Sequence, residues 1–133
     1  MQDLELYSRL ISLPDADQYF PKVLSLTEDE LQIRMRLEVL SGLAWFGGHF
    51  PGQPVLPGVV QLHWAAQVAQ ACFGFSTVPA EVKRLKFKNI VVPPQELELV
   101  ICRFGADAVQ FEFSHGETKH SEGCLIFDVS ATC

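Results

Sequence analysis

At 133 residues, with 48% hydrophobic and 20% charged side chains, the chain has the size and make-up of one folded domain spanning residues 1–133, not of a disordered or fibrous polymer. Ten Lys and Arg against sixteen Asp and Glu leave a formal net charge of -6, which argues against general nucleic-acid binding because a polyanion must be met by a basic surface. The opening stretch MQDLELYSRL lacks a basic head followed by an apolar run, so no secretory leader is read there and the cytoplasm is the expected compartment.

In chain order, Leu4 to Leu13 suggests a short amphipathic helix ending before Pro14. Residues Leu31 to Val39 alternate, with Leu31, Ile33, Met35, Leu37 and Val39 on one face and Gln32, Arg34, Arg36 and Glu38 on the other, the pattern of a half-buried strand. Leu43 to Phe46 continue its apolar character after a kink or bulge at Ser41-Gly42, and the chain then enters a Gly47-Gly48 turn. From His49 to Ala80 there is no Asp, Glu, Lys or Arg, so this segment must be central. Within it, Val59 to Phe73 predicts one buried helix, preceded by Pro57-Gly58 and stopped by Gly74. Gln61, His63, Gln67 and Gln70 interrupt it, and it is too short for a membrane span of roughly 20 apolar residues.

Strand patterns return at Val82 to Val92, Leu97 to Phe104, Ala108 to Ser114 and Gly123 to Val129, separated by Pro93-Pro94, Gly105-Ala106-Asp107 and Gly116. One hydrophobic helix followed by several antiparallel strands implies an α+β architecture, a sheet curled around the helix. Cys72, Cys102, Cys124 and Cys133 form no C-x-x-C pair and no zinc-like spacing, so they read as reduced thiols, and no metal site is expected.

The stretch Gly48 to Gly58, GHFPGQPVLPG, carries the chemistry. Its glycines let the backbone approach a ligand, its prolines fix the loop, and Gly58 presents its N–H at the positive end of the helix, where it can bind a developing oxyanion.

G-H-F-P-G-x-P-x-x-P-G-V followed by L-x-x-x-A-Q resembles the active-site signature of the 3-hydroxyacyl-acyl-carrier-protein dehydratases, and Leu85 to Pro93 resembles that family's R-F-K-x-P-V-x-P strand. Around G-Q-P-V-L-P-G-V-V-Q-L-H-W the chain is also similar to dehydratases of aryl-polyene and related pigment clusters. The resemblance implies a hot-dog fold, a homodimer or trimer of dimers with sites at the dimer interface, and no cofactor beyond the phosphopantetheine that carries the substrate. It implies His49 as catalytic histidine, Gly58 as oxyanion donor, and Phe50, Pro57, Val59, Gln67 and Phe87 around the acyl group. The family's second catalytic position, normally Glu or Asp, falls on His63. Dehydration needs a base for the proton α to the thioester and an acid for the leaving hydroxyl, and two imidazoles in opposite protonation states meet that need.

Plainer readings stand beside these. His49 could be a turn histidine, and His63 a satisfied core histidine bonded by Gln67 at i+4. Trp64, Phe73 and Phe75 read as packing, and His115 and His120 as parts of a solvated hairpin. Lys83, Arg84, Lys86 and Lys88 read either as a solvated strand face or as a basic rim that steers the acidic acyl carrier protein. A hot-dog thioesterase and a non-catalytic carrier-binding partner subunit are the rival functions; the helix lacks the carboxylate that the first would use, and the loss of a carboxylate at His63 favours the second.

Overall fold

A computed structural model of the chain describes residues 19–43 and 55–127; the Leu4 to Leu13 helix lies outside them. The alternation of Ile33, Met35, Leu37 and Val39 becomes burial in β2 (Gln32–Val39), whose Arg34 and Arg36 remain exposed. Inside an antiparallel sheet a strand has neighbours on both edges and hides one face on an apolar layer beneath. β2 has them: it pairs with β1 (Lys22–Glu28) on one side and with β4 (Gln95–Phe104) on the other, both antiparallel. β5 (Ala108–His115), β6 (Thr118–Ile126) and β3 (Glu81–Phe87) complete one six-stranded antiparallel sheet in the order β1-β2-β4-β5-β6-β3. Its outer face is a lattice of exposed charges, with Arg34 bonded to Glu98 at 2.9 Å and Arg36 bonded to Glu96.

The inner face holds the helix α1 (Gly58–Phe73). Val60, Trp64, Ala65, Val68 and Ala69 recur at helical spacing and are buried against Leu97, Leu99, Ile101, Phe111 and Phe113 from β4 and β5. Trp64 is fully enclosed: its indole N–H donates to the Tyr19 carbonyl at 2.8 Å, and its ring meets Phe20 edge-on at 6.1 Å. The helix stops where expected, at Gly74 (φ 75), whose N–H returns to the Gln70 carbonyl at 3.0 Å. Beyond it, Phe75 stacks on Phe127 at 4.0 Å, and the Arg103 guanidinium lies 5.5 Å from the ring centres of both Phe73 and Phe75.

Several expectations need correction. Ser41-Gly42 is a turn after the end of β2, closed by the Leu43 N–H on the Leu40 carbonyl at 3.2 Å, while the expected apolar continuation through Ala44 to Phe46 and the Gly47-Gly48 turn lie outside the described residues. The predicted strand Val82 to Val92 stops at Phe87, because the Lys88 and Asn89 N–H groups both turn to the His120 carbonyl, at 2.9 and 3.4 Å. Val91 then makes an isolated bridge with Leu56. β6 begins at Thr118, well before Gly123, since the hairpin needs only the tight turn around Gly116 (φ 58). β1 carries no clean alternation because a bulge between Val23 and Ser25 interrupts it, and its sequence pattern alone did not reveal it. Cys72 and Cys102 are half-buried and form no disulfide, the Cys72 thiol donating to Glu28 Oε2 at 3.0 Å, whereas Cys124 is buried and disulfide-bonded; spacing along the chain does not report which sulfurs meet in space.

Trp64→Ala is expected to lower unfolding free energy by about 3–5 kcal/mol, the cost of an aromatic-sized void in a filled core. Urea unfolding followed by far-UV circular dichroism measures it, and a loss below 1 kcal/mol would contradict the central place of this side chain.

Candidate functional site

The sequence places a proline and a glycine at the start of α1, and each has a local consequence. Pro57 occupies the N-cap in extended backbone (φ -60, ψ 142) and offers no side-chain oxygen, so no side chain caps the helix. The Val60 N–H bends back to the Pro57 carbonyl at 3.1 Å, leaving Gly58 and Val59 to head the helix with their N–H groups outward. Leu56, just before, is tied by its N–H to the Val91 carbonyl at 2.8 Å. The helix start is thereby fixed against the segment that follows β3.

Between these two segments lies a cleft of about 330 Å³. Pro57, Gly58, Val59 and Phe87, all predicted from the sequence, line it together with Gln61 and the turn Lys88 to Ile90. The Phe87 ring rests directly on Gly58: a Cβ at that position would lie 2.7 Å from Phe87 Cε1, inside van der Waals contact. Glycine at residue 58 is what lets an aromatic ring and helix-end amides share one wall.

The far wall is held by a polar network that the sequence did not disclose. His120 was expected on a solvated hairpin; it is 3% exposed. β5 and β6 shift register between Phe113 and Ser114, and this bulge turns His120 inward. Its Nδ1 faces the Asn89 carbonyl at 3.1 Å and its Nε2 faces Gln95 Nε2 at 3.0 Å. A neutral ring protonated on Nδ1 satisfies both contacts, donating to Asn89 and accepting from Gln95. Asn89 in turn donates to the Lys119 carbonyl at 2.6 Å, so the turn that lines the cleft is pinned to β6. On the floor, the buried Ser121 hydroxyl donates to Gln61 Oε1 at 2.7 Å. His115 is exposed, as expected, with Nδ1 at 2.9 Å from the Glu96 carbonyl.

His63 does not line this cleft and is not a core histidine; it is exposed, with Gln67 half-buried one turn further on. Five helical residues from Gly58 correspond to about 140° around the axis, which puts His63 on another face of α1. His49 and Phe50 lie outside the described residues. All seven residues of β3 are exposed. Of the basic residues on or beside it, Lys88 is bonded to Glu122 at 3.0 Å and Lys83 lies 4.0 Å from Glu81. The hydrogen bond from Lys88 holds the Glu122 carboxyl below the usual glutamate range, opposed by partial desolvation and reinforced by the charges of Lys88, Lys86 and Lys119. Arg84 sits at the β3 bulge between Lys83 and Lys86 with φ 56.

A single helix enclosed by a curved antiparallel sheet is the hot-dog fold. Residues 25–124 match the family described as ApeI-like, ApeI dehydratase, and the chain belongs to that family. The dehydratase heterocomplex ApeI:P from Xenorhabdus doucetiae superimposes with a TM-score of 0.74 at 26% identity, covering 80% of this chain and 96% of that one. An uncharacterized protein from Erwinia carotovora subsp. atroseptica gives 0.69 at 30% identity, covering 80% and 94%. Among curated proteins, the 3-hydroxyacyl-[acyl-carrier-protein] dehydratase FabZ of Legionella pneumophila (strain Corby) is 32% identical over 83 residues, 55% of each chain. FabZ of Anaeromyxobacter dehalogenans (strain 2CP-1) is 37% identical over 86 residues, 54% of this chain and 55% of its own. The chain thus spans about half the length of the curated relatives it matches.

Gly58→Ala and Phe87→Ala are expected to be non-additive, because the alanine methyl overlaps the ring only while the ring is present. A double-mutant cycle in urea should give a coupling of about 0.5–3 kcal/mol, with the double variant more stable than the sum of the two changes. Zero coupling would contradict the contact.

Proposed function

We propose that the chain removes water from 3-hydroxyacyl thioesters carried on acyl carrier protein, giving trans-2-enoyl thioesters. The observation that carries this reading is the cleft at the head of α1, which opens on the Gly58 and Val59 amides directly downstream of the Gly48 to Pro54 segment of the signature. Family membership supports it. The thioester carbonyl accepts from the Gly58 N–H, which stabilises the negative charge that develops on its oxygen. His49 removes the C2 proton; the electron pair of that bond forms the C2–C3 double bond as the C3–O bond breaks. The hydroxyl takes a proton from a histidine and departs as water.

The separate faces of Gly58 and His63 favour a site made from two chains. His63 of one protomer then completes the cleft of its partner, supplying the proton or orienting the hydroxyl. Edge strand β3, with Val82, Leu85 and Phe87 uncovered, is the surface through which two sheets pair in this reading. A homodimer, alone or as a trimer of dimers, is the simplest arrangement; the ApeI:P structure, described as a heterocomplex, favours a different dehydratase subunit in the same place as the second one. Of the four basic residues, Lys88 is engaged with Glu122, so the acidic carrier would be met chiefly by Arg84 and Lys86, with Lys83 beside them.

His49→Ala should keep the circular dichroism of the parent and lose roughly 10²- to 10⁴-fold in kcat, read by product mass. Co-expressing His49→Ala chains with His63→Ala chains should restore about a quarter of the parental rate, since statistical pairing puts one intact site in each mixed two-fold dimer. No recovery, with each variant inactive alone, would place both histidines in one chain's site. Lys83→Glu with Arg84→Glu should raise KM for carrier-bound substrate far more than for a pantetheine mimic, an effect that shrinks in high salt. Equal slowing of both substrates would move the docking surface elsewhere.

A further inference from the structure

Two buried polar side chains stand outside the chemistry just described. Gln61 is 2% exposed and Ser121 is fully enclosed, yet Gln61 lines the cleft. The Ser121 hydroxyl has its acceptor in Gln61 Oε1, at 2.7 Å, and this contact fixes which end of the carboxamide faces β6. The amino end has no acceptor among the described residues. Among the described residues no buried side-chain nitrogen or oxygen lacks a partner, so Gln61 Nε2 must reach the open volume that its side chain borders. Of the side chains around it, Leu56, Val59, Phe87 and Ile90 offer no acceptor, and Asn89, held by its Nδ2 on the Lys119 carbonyl, makes no hydrogen bond to Gln61.

Depth decides what this donor can meet. Gly58 is half-buried at the mouth of the cleft, and Gln61 lies one turn further along α1, against β6. An acyl group delivered with its thioester at Gly58 therefore presents later chain atoms to Gln61. We infer that Gln61 determines specificity, its amino group donating a hydrogen bond to an oxygen carried on the acyl chain beyond the reacting carbons, with Ser121 holding the carboxamide in that orientation. The inference rests on the dehydratase reading for the place of the thioester. A plain hydrocarbon chain would cover the donor without pairing it, a mismatch that reduces affinity by roughly tenfold or more.

The test is calorimetric and needs no turnover. The ligands are unreactive acyl-pantetheine amides of equal length, one saturated and a set bearing a single keto oxygen at successive chain positions. The parental protein should bind at least one keto amide tenfold or more tighter than the saturated one. Gln61→Leu with Ser121→Ala, which keeps the shape and strands no hydroxyl, should abolish the preference and tighten the saturated ligand. Ser121→Ala alone should narrow the preference. Gln61→Glu, an acceptor in place of a donor, should abolish the preference for keto chains. No preference in the parent, or an equal change for all ligands in the variants, overturns the proposal. Dehydration of a 3-hydroxyacyl carrier substrate is followed separately by product mass. Its absence beside intact discrimination would remove the proposed reaction and leave the subsite, whereas dehydration without discrimination would remove the subsite alone.

Discussion

The helix α1 carries no charged side chain, and its buried stripe, centred on Trp64, has to be covered by apolar surface from several strands at once. A single strand pair cannot do this, because a sheet presents only alternate residues to one side. β2, β4 and β5 together supply Ile33, Met35, Leu37, Leu97, Leu99, Ile101, Phe111 and Phe113. Covering the helix this way leaves its beginning at the rim, where Pro57 and Gly58 emerge next to the segment after β3. The place of the cleft thus follows from how the core is closed.

At that rim the protein combines two requirements that normally compete. Amides at a helix start need access to a ligand, while a cleft for an acyl group needs apolar walls. Gly58 reconciles them by letting Phe87 lie against the backbone. The polar side chains required to hold this arrangement are withdrawn into the protein and satisfied there: His120 by Asn89 and Gln95, Ser121 by Gln61. Because Lys88, Asn89 and Ile90 belong to the cleft and are fixed through His120, the shape of one wall depends on a side chain that lies outside the cleft lining.

The strand β2 was readable because its alternation is complete, and α1 because its composition is free of charge and its end is marked by Gly74. Pro57, Gly58, Val59 and Phe87 were readable as one site because a loop motif and a strand motif, each recognisable alone, meet in space. The network around His120 was not readable. Lys119, His120 and Ser121 lie in a polar stretch that suggests solvent, and only the register shift opposite Phe113 and Ser114 turns His120 inward. The exposure of His63 was hidden for a related reason: a charge-free helix implies burial all round, but here one face of α1 remains uncovered within a single chain.

Arg103 has a consequence of its own at the opposite end of the helix. Its guanidinium spans the Phe73 and Phe75 rings, its Nη2 donates to the Ala106 carbonyl at 2.8 Å in the β4–β5 turn, and its backbone N–H reaches the Leu31 carbonyl at 2.7 Å. One residue thereby belongs at once to the helix exit and a hairpin through its side chain and to the loop before β2 through its backbone. Segments joined in this way cannot open singly, so their amide protons should exchange with solvent as one cooperative unit, and a local fluctuation at Gly74 would be felt at the β4–β5 turn.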